Sequence, residues 1–162
     1  MLQKFAVSVS AMLMMALPAF ASVEGTYQIQ GLACRYNQEV IPNCEVGETL
    51  NVVKEASGDY RVQEVSKGKV TRSWFVSERS ISEPNFVLTT LLKVSDVSLE
   101  YSEDRVTYFP GDSRRQFYQT RLVLRETAPG KYLFTVRQSQ VRESVAELTG
   151  GGVSELSYSL IK

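Results

Sequence analysis

The sequence feature that most constrains the fold is a pair of alternating runs within residues 115–140, joined by a turn at Pro129 and Gly130. In both runs apolar or aromatic side chains occupy every second position, and Arg121 and Arg125 share the other face of the first run. Successive side chains of a strand point to opposite faces, so this period of two indicates half-buried strands. The runs therefore predict a β-hairpin with a basic outer face. Because an isolated hairpin is only marginally stable in water, further strands must pack against it.

The remaining chain predicts a single all-β domain at residues 22–162. Roughly eight to ten short alternating runs, separated by turn residues, favour an antiparallel barrel or sandwich in a meander. The segment 141–149 allows two interpretations. Val141, Val145 and Leu148 have helical spacing, which favours one short helix before the last strand. A strand continuing from Val136 fits nearly as well.

Residues 1–21 have the organisation of a secretory signal peptide. Lys4 precedes an apolar run at residues 5–17, and residues 19–21 read Ala-Phe-Ala, as a cleavage site requires. The apolar run of about 13 residues is shorter than the roughly 20 that span a bilayer. We predict cleavage after Ala21, export to the periplasm or the medium, and no transmembrane segment in the mature chain. Several strand runs also fall short of the about ten residues typical of an outer-membrane barrel.

The two cysteines, Cys34 and Cys44, are predicted to form a structural disulfide, as is usual in an exported chain. A zinc site is disfavoured because the chain has no histidine and no other cysteine. The spacing also differs from the C-x-x-C pattern of redox proteins. We therefore expect no metal and no cofactor.

Charge and composition argue against two functional classes. Removal of Lys4 with the signal leaves 17 basic and 18 acidic residues, a formal charge of −1, which gives no electrostatic case for nucleic acid. The absence of histidine removes the usual general base and the Ser-His-Asp triad. The only adjacent acidic pair, Glu103 and Asp104, lies at an expected turn, where solvation explains it better than glycoside hydrolysis does. We predict a protein that is not an enzyme.

The mature chain resembles the lipocalins and their calycin relatives. The resemblance rests on Gly25, Thr26 and Tyr27 at the opening of the first strand, on the meander of strands, and on the helix that one interpretation places before the last strand. It implies a small up-and-down barrel that holds an apolar ligand. No ligand-binding residue is carried over from the family.

Two functional hypotheses remain. The first is a binding protein that carries a small apolar molecule in a barrel. Its candidate lining residues are Tyr27, Tyr60, Trp74, Tyr118, Phe134 and Tyr158. The second is an envelope or secreted protein-interaction module, of inhibitor or adhesion type, that binds another protein through strand edges, loops or the basic face at residues 114–125. A cavity of several hundred Å³ would favour the first hypothesis. A filled core with an exposed apolar or basic patch would favour the second.

Overall fold

The computed structural model describes residues 22–108, 114–143, 148–149 and 151–162, and the regular elements in these ranges are all β-strands. The predicted signal peptide lies outside the described residues. The strands are β1 (Gly25–Tyr36), β2 (Glu39–Val40), β3 (Thr49–Lys54), β4 (Tyr60–Ser66), β5 (Lys69–Val76), β6 (Ser80–Glu83), β7 (Phe86–Val94), β8 (Ser98–Tyr108), β9 (Arg115–Ala128), β10 (Lys131–Glu143), β11 (Leu148–Thr149) and β12 (Val153–Ile161). Within these ranges no helix is long and apolar enough to cross a membrane.

The strands form one antiparallel sheet in the order β5-β4-β3-β1-β12-β10-β9-β8-β7-β6. The short strands β2 and β11 pair with β1 and β10 at the side of this path. The ladder between β1 and β12 joins the first long strand of the sheet to the last, with Ile29 opposite Leu160. The prediction of an all-β antiparallel meander is confirmed.

The sheet is rolled but stays open, which refines the predicted barrel or sandwich. β5 and β6 lie at opposite ends of the strand order, yet only residues 77–79 separate them in sequence. Side-chain bonds, not a ladder, hold this junction together: the Thr90 hydroxyl of β7 donates to the Ser77 carbonyl oxygen at 2.7 Å and accepts from the Arg79 amide. Among the described strands no ladder joins β5 to β6 or β7, so backbone hydrogen bonds do not close a barrel.

The hydrophobic core lies on the inner face of the rolled sheet. Side chains from the two halves of the sheet, here called its wings, contribute to this core. Trp74 of β5 meets Phe134 of β10 edge to face, with ring centroids 5.3 Å apart. This contact between distant strands requires the wing β3–β5 to fold over β10 and β12. Fully buried aliphatic side chains come from both wings: Leu50, Val62, Val76, Leu99, Leu122, Leu124 and Leu160. Burying each such side chain stabilises the fold by roughly 1.5–3 kcal/mol.

The hairpin predicted within residues 115–140 is present and is formed by β9 and β10. Leu124 stands opposite Phe134 and Leu122 opposite Val136, all on the inner face. The turn between the strands contains Gly130 at φ +70°, a conformation that glycine adopts without strain. The alternation of apolar and basic residues therefore predicted correctly which side chains of this hairpin lie on the inner face.

The described part of residues 141–149 is extended, so the expectation of a short helix there is wrong. Val141 belongs to the end of β10, and β11 pairs with Arg142 and Glu143; residues 144–147 lie outside the described residues. Pairing of β10 with the whole length of β9 overrides the weak helical spacing. Gly151 allows a close approach of the chain to β10, because a Cβ atom there would overlap the Gln140 carbonyl group.

Candidate functional site

The inner face of the long strands changes from apolar to polar along their length. On β9 the inner-face positions run from buried Leu122 to Thr120 and Tyr118, which are half-buried. β10 changes in step, since Gln138 stands opposite Thr120 and Gln140 opposite Tyr118. The sheet therefore presents two environments on one face, a filled apolar core and a polar extension.

A cleft of about 380 Å³ lies on this polar extension. It is lined by two tyrosine rings, one guanidinium group, and amide and hydroxyl side chains, chiefly Tyr36, Arg105, Tyr118, Thr120, Gln138 and Gln140. The Arg105 guanidinium carbon lies 4.2 Å from the centroid of the Tyr118 ring, at stacking distance. The composition of this lining suits a polar ligand better than an apolar one.

The segment 37–48, here called the tethered loop, follows β1 and is fastened to the sheet at several points. The predicted disulfide between Cys34 and Cys44 is present and links the loop to β1. The Ile41 amide donates to the Cys34 carbonyl oxygen at 2.9 Å. Arg72 of β5 donates from both terminal nitrogens to the Glu45 carbonyl oxygen, each at 3.1 Å. These bonds hold the loop in one conformation.

A buried carboxylate anchors the far end of the loop. Glu64 of β4 is only 1% exposed and accepts three hydrogen bonds, from the Gly47 amide at 2.5 Å, from Arg72 at 2.5 Å and from the Tyr158 hydroxyl at 2.6 Å. Burial and the bond to Glu64 raise the pKa of Tyr158 well above its ordinary range, so this hydroxyl stays protonated. These bonds tie the loop to β4 and join β4 and β5 to β12, so the cluster anchors the loop.

The tethered loop carries three exposed apolar side chains, and a fourth lies at its base. Val40, Ile41 and Val46 are 68%, 45% and 49% exposed, and Tyr36 at the base of the loop is 52% exposed. They are four of the eleven large hydrophobic residues that are exposed in the described ranges. Tyr36, the last residue of β1, also lines the cleft.

The outer face of the hairpin is basic, as its alternation predicted. Arg121 of β9 stands directly opposite Arg137 of β10, and both side chains are exposed. Like charges directly opposite each other destabilise a sheet slightly. Glu155, which is paired with Arg137 in the ladder and contacts Arg35 at 4.0 Å, offsets part of this charge.

The structure does not bring the six predicted ligand-lining residues into one cavity. Tyr27, Tyr60, Phe134 and Tyr158 are buried in the core. Trp74 is half-buried against Phe134 and Tyr158, and Tyr118 alone lines the polar cleft. A role for these residues in binding a ligand stays a prediction.

Sequence reasoning missed the polar side of the cleft. Gln138 and Gln140 continue the parity of Phe134 and Val136, so their inner-face position was available from the alternation. Arg105 was not a candidate residue, because its contact with Tyr118 joins two strands and depends on the tertiary structure. In the ranges that the structure covers, no group of three or more His, Cys, Asp or Glu side chains is arranged to hold a metal ion.

Comparison with known protein families, with curated proteins and with solved structures finds no match to this chain. The antiparallel all-β sheet is compatible with a barrel-like fold. Membership of the lipocalins or calycins is not supported by any relative. Function must therefore be inferred from the geometry itself.

Removing the disulfide is expected to lower the free energy of unfolding by roughly 2–3 kcal/mol, because the bond closes a short loop in the unfolded chain. The variant is Cys34→Ala combined with Cys44→Ala, measured by urea denaturation. A reductant should destabilise the parent protein by a similar amount and leave the double variant unchanged. A loss below about 0.5 kcal/mol, the size of an ordinary surface effect, would show that the other loop contacts suffice.

Proposed function

We propose that this protein is an exported, non-catalytic protein-interaction module that docks on a partner protein through its tethered loop. The observation that carries the proposal is the set of exposed apolar side chains on the loop, Val40, Ile41 and Val46, with Tyr36 beside them. A soluble surface exposes scattered apolar residues as a rule, but a concentrated apolar patch marks an interaction site. The predicted signal peptide supports export.

The way in which the loop is held also supports this proposal. The disulfide at Cys44, the bonds from Arg72 to the Glu45 carbonyl oxygen and the bond from the Gly47 amide to Glu64 fix the second half of the loop. The Ile41 amide bonds to β1 nearer the start of the loop. A loop held in its bound conformation loses little conformational entropy when a partner docks, and affinity rises accordingly. Central apolar residues surrounded by polar ones are the usual arrangement of a binding hot spot.

The alternative, a carrier of a small apolar molecule, has less support. The inner face between the wings is filled by side chains such as Tyr27, Phe134 and Tyr158. The cleft beyond this core is lined by polar and apolar surface in about equal measure, and a guanidinium group and glutamine amides are part of that lining, whereas apolar ligands prefer apolar walls. We therefore favour the protein-interaction hypothesis over the ligand-carrier hypothesis.

Site-specific photo-crosslinking tests the proposal. A photoreactive phenylalanine analogue is placed at Ile41 of the loop and, as a matched control, at Val53 of β3, which is 47% exposed compared with 45% for Ile41. In the envelope or secreted fraction of its host, the protein labelled at position 41 is expected to capture a defined protein that position 53 does not. The substitution Val46→Asp should abolish this capture, because a charge in the patch opposes docking.

Equal capture at positions 41 and 53 would contradict the proposal, since it would indicate adhesion without a specific surface. Absence of capture at position 41 in both fractions would contradict it as well. Native mass spectrometry of the gently purified protein provides the complementary result, because a released apolar molecule would restore the ligand-carrier hypothesis.

A further inference from the structure

Arg105 is a partly buried cation that forms no salt bridge with any residue in the part of the chain that the structure describes. Its Nε atom is fully buried and has no hydrogen-bond partner, and no carboxylate of the described residues forms a salt bridge with its guanidinium group. Its guanidinium carbon lies 4.2 Å from the centroid of the Tyr118 ring. Withdrawing a charge from water without a partner is costly, so such a group is expected to have a partner that the protein itself does not supply.

The carboxylates on the same inner face, unlike the Arg105 Nε atom, have hydrogen-bond partners. Glu103, two residues before Arg105 on β8, accepts a hydrogen bond from the Tyr101 hydroxyl at 2.8 Å. Glu64, deeper in the sheet, accepts three. The fold therefore satisfies these two inner carboxylates, while the Arg105 guanidinium carbon lies 4.2 Å from the centroid of the Tyr118 ring and the Arg105 side chain lines the cleft.

The rest of the cleft offers neutral hydrogen-bonding groups and aromatic surface. The side chains of Thr120, Gln138 and Gln140 line it, and none of them has a side-chain hydrogen bond within the described part of the chain. The Tyr36 ring stands at the other side, where only a glycine at position 152 leaves room for it. Hydroxyl and amide groups of this kind suit the hydroxyl groups of a small polar ligand, and tyrosine rings suit its apolar face.

We infer that this cleft binds a small sugar acid, a monosaccharide-sized ligand that carries one carboxylate. The carboxylate would bind Arg105 in a bidentate manner, which planar guanidinium groups favour. The ring would lie between Tyr36 and Tyr118, and its hydroxyl groups would bond with Gln138 and Gln140. A volume of about 380 Å³ falls in the range of small-molecule sites. The inference concerns the cleft and does not depend on the partner proposed for the tethered loop.

Titration of the mature protein with glucuronate tests this inference, with glucose as the neutral ligand of the same size and inorganic phosphate as a second anion, all at matched ionic strength. Binding is followed by chemical-shift changes or by calorimetry. Glucuronate is expected to bind, and glucose at least roughly tenfold more weakly, because a hydrogen bond to a charged group is worth more than one between neutral groups. Phosphate alone should bind weakly, since it lacks the sugar ring.

Two variants that each remove one positive charge distinguish binding in the cleft from a general effect of charge on affinity. Arg105→Gln should weaken glucuronate binding by roughly tenfold or more, whereas Arg121→Gln, on the opposite face of the sheet, should leave it unchanged. Should Arg105→Gln fail to fold, Arg105→Lys keeps the charge but loses the planar pair of donors, and it should weaken binding as well.

The inference is overturned if glucuronate and glucose bind equally or not at all, or if both charge variants weaken binding to the same extent. Phosphate binding as strong as that of glucuronate would also overturn it, because the site would then select an oxyanion without regard to a sugar. Loss of binding in Arg105→Gln alone, with a preference for glucuronate, is the supporting result.

Discussion

Replacing Glu64 by glutamine is expected to lower the free energy of unfolding by about 3–5 kcal/mol, the cost of breaking a buried ion pair from one side. The carboxylate accepts bonds from Gly47, Arg72 and Tyr158. An amide has one acceptor oxygen, so one or more of these donors would lose its partner. Its NH₂ group would also face donors, and the Arg72 charge would lose its neutralising partner inside the protein.

Urea denaturation of Glu64→Gln measures this effect, and Glu48→Gln is the matched control. The Glu48 side chain is exposed and accepts only a long bond of 3.3 Å from the Lys67 amide. Its substitution should cost less than about 0.5 kcal/mol, as surface changes usually do. A double-mutant cycle with Tyr158→Phe should show strong coupling, because both changes remove the same hydrogen bond. Similar losses of unfolding free energy for Glu64→Gln and Glu48→Gln would contradict the role of Glu64 as an anchor of the loop.

The protein is also expected to lose stability steeply in alkaline solution, by roughly 4 kcal/mol at pH 11. Burial raises the pKa values of Tyr27, Tyr101 and Tyr158 above the ordinary value near 10, and the nearby carboxylates Glu126, Glu103 and Glu64 raise them further. A group whose pKa is raised on folding contributes its full stability below the unfolded value and loses it as the pH rises. Each tyrosine therefore costs on the order of 1 kcal/mol at pH 11.

Urea midpoints between pH 8 and pH 11 measure this loss, and absorbance of tyrosinate at ultraviolet wavelengths reports ionisation. Tyr27, Tyr101 and Tyr158 should ionise only as the protein unfolds. Tyr158→Phe should reduce the pH dependence of stability, since it removes one of the four tyrosines whose pKa values are raised. A pH-independent midpoint, or ionisation of all tyrosines before unfolding, would contradict the assignment.

The part of the fold that depends on alternation was predictable from the sequence. The hairpin of β9 and β10, the faces of Leu122 and Arg121, and the Cys34–Cys44 disulfide all followed from period two, turn residues and cysteine count. These features are local, because each is set by residues close in the chain or by the only available pairing. The short helix at residues 141–149 was predicted wrongly because its period was weak and long-range pairing with β9 decided the outcome.

The open sheet and the candidate sites were beyond the sequence for a physical reason. Whether a rolled sheet closes into a barrel depends on whether its two edge strands form a ladder with each other. Here the Thr90 hydroxyl bonds to the backbone of Ser77 and Arg79 where such a ladder would lie. The stacking of Arg105 on Tyr118 joins β8 to β9, and the anchor of Glu64 joins β4 to β12. Such contacts link residues that are distant in sequence, and no local pattern encodes them.

The ladder between β1 and β12 has a consequence for the order of events in the cell. Because Ile29 pairs with Leu160, the sheet cannot be completed before β12 has been synthesised. A topology dominated by such distant pairings folds slowly, since the chain must close a long loop before these contacts form. For a chain that is predicted to be exported, slow folding is useful. A polypeptide that stays unfolded until β12 has been synthesised can still pass through a translocation channel.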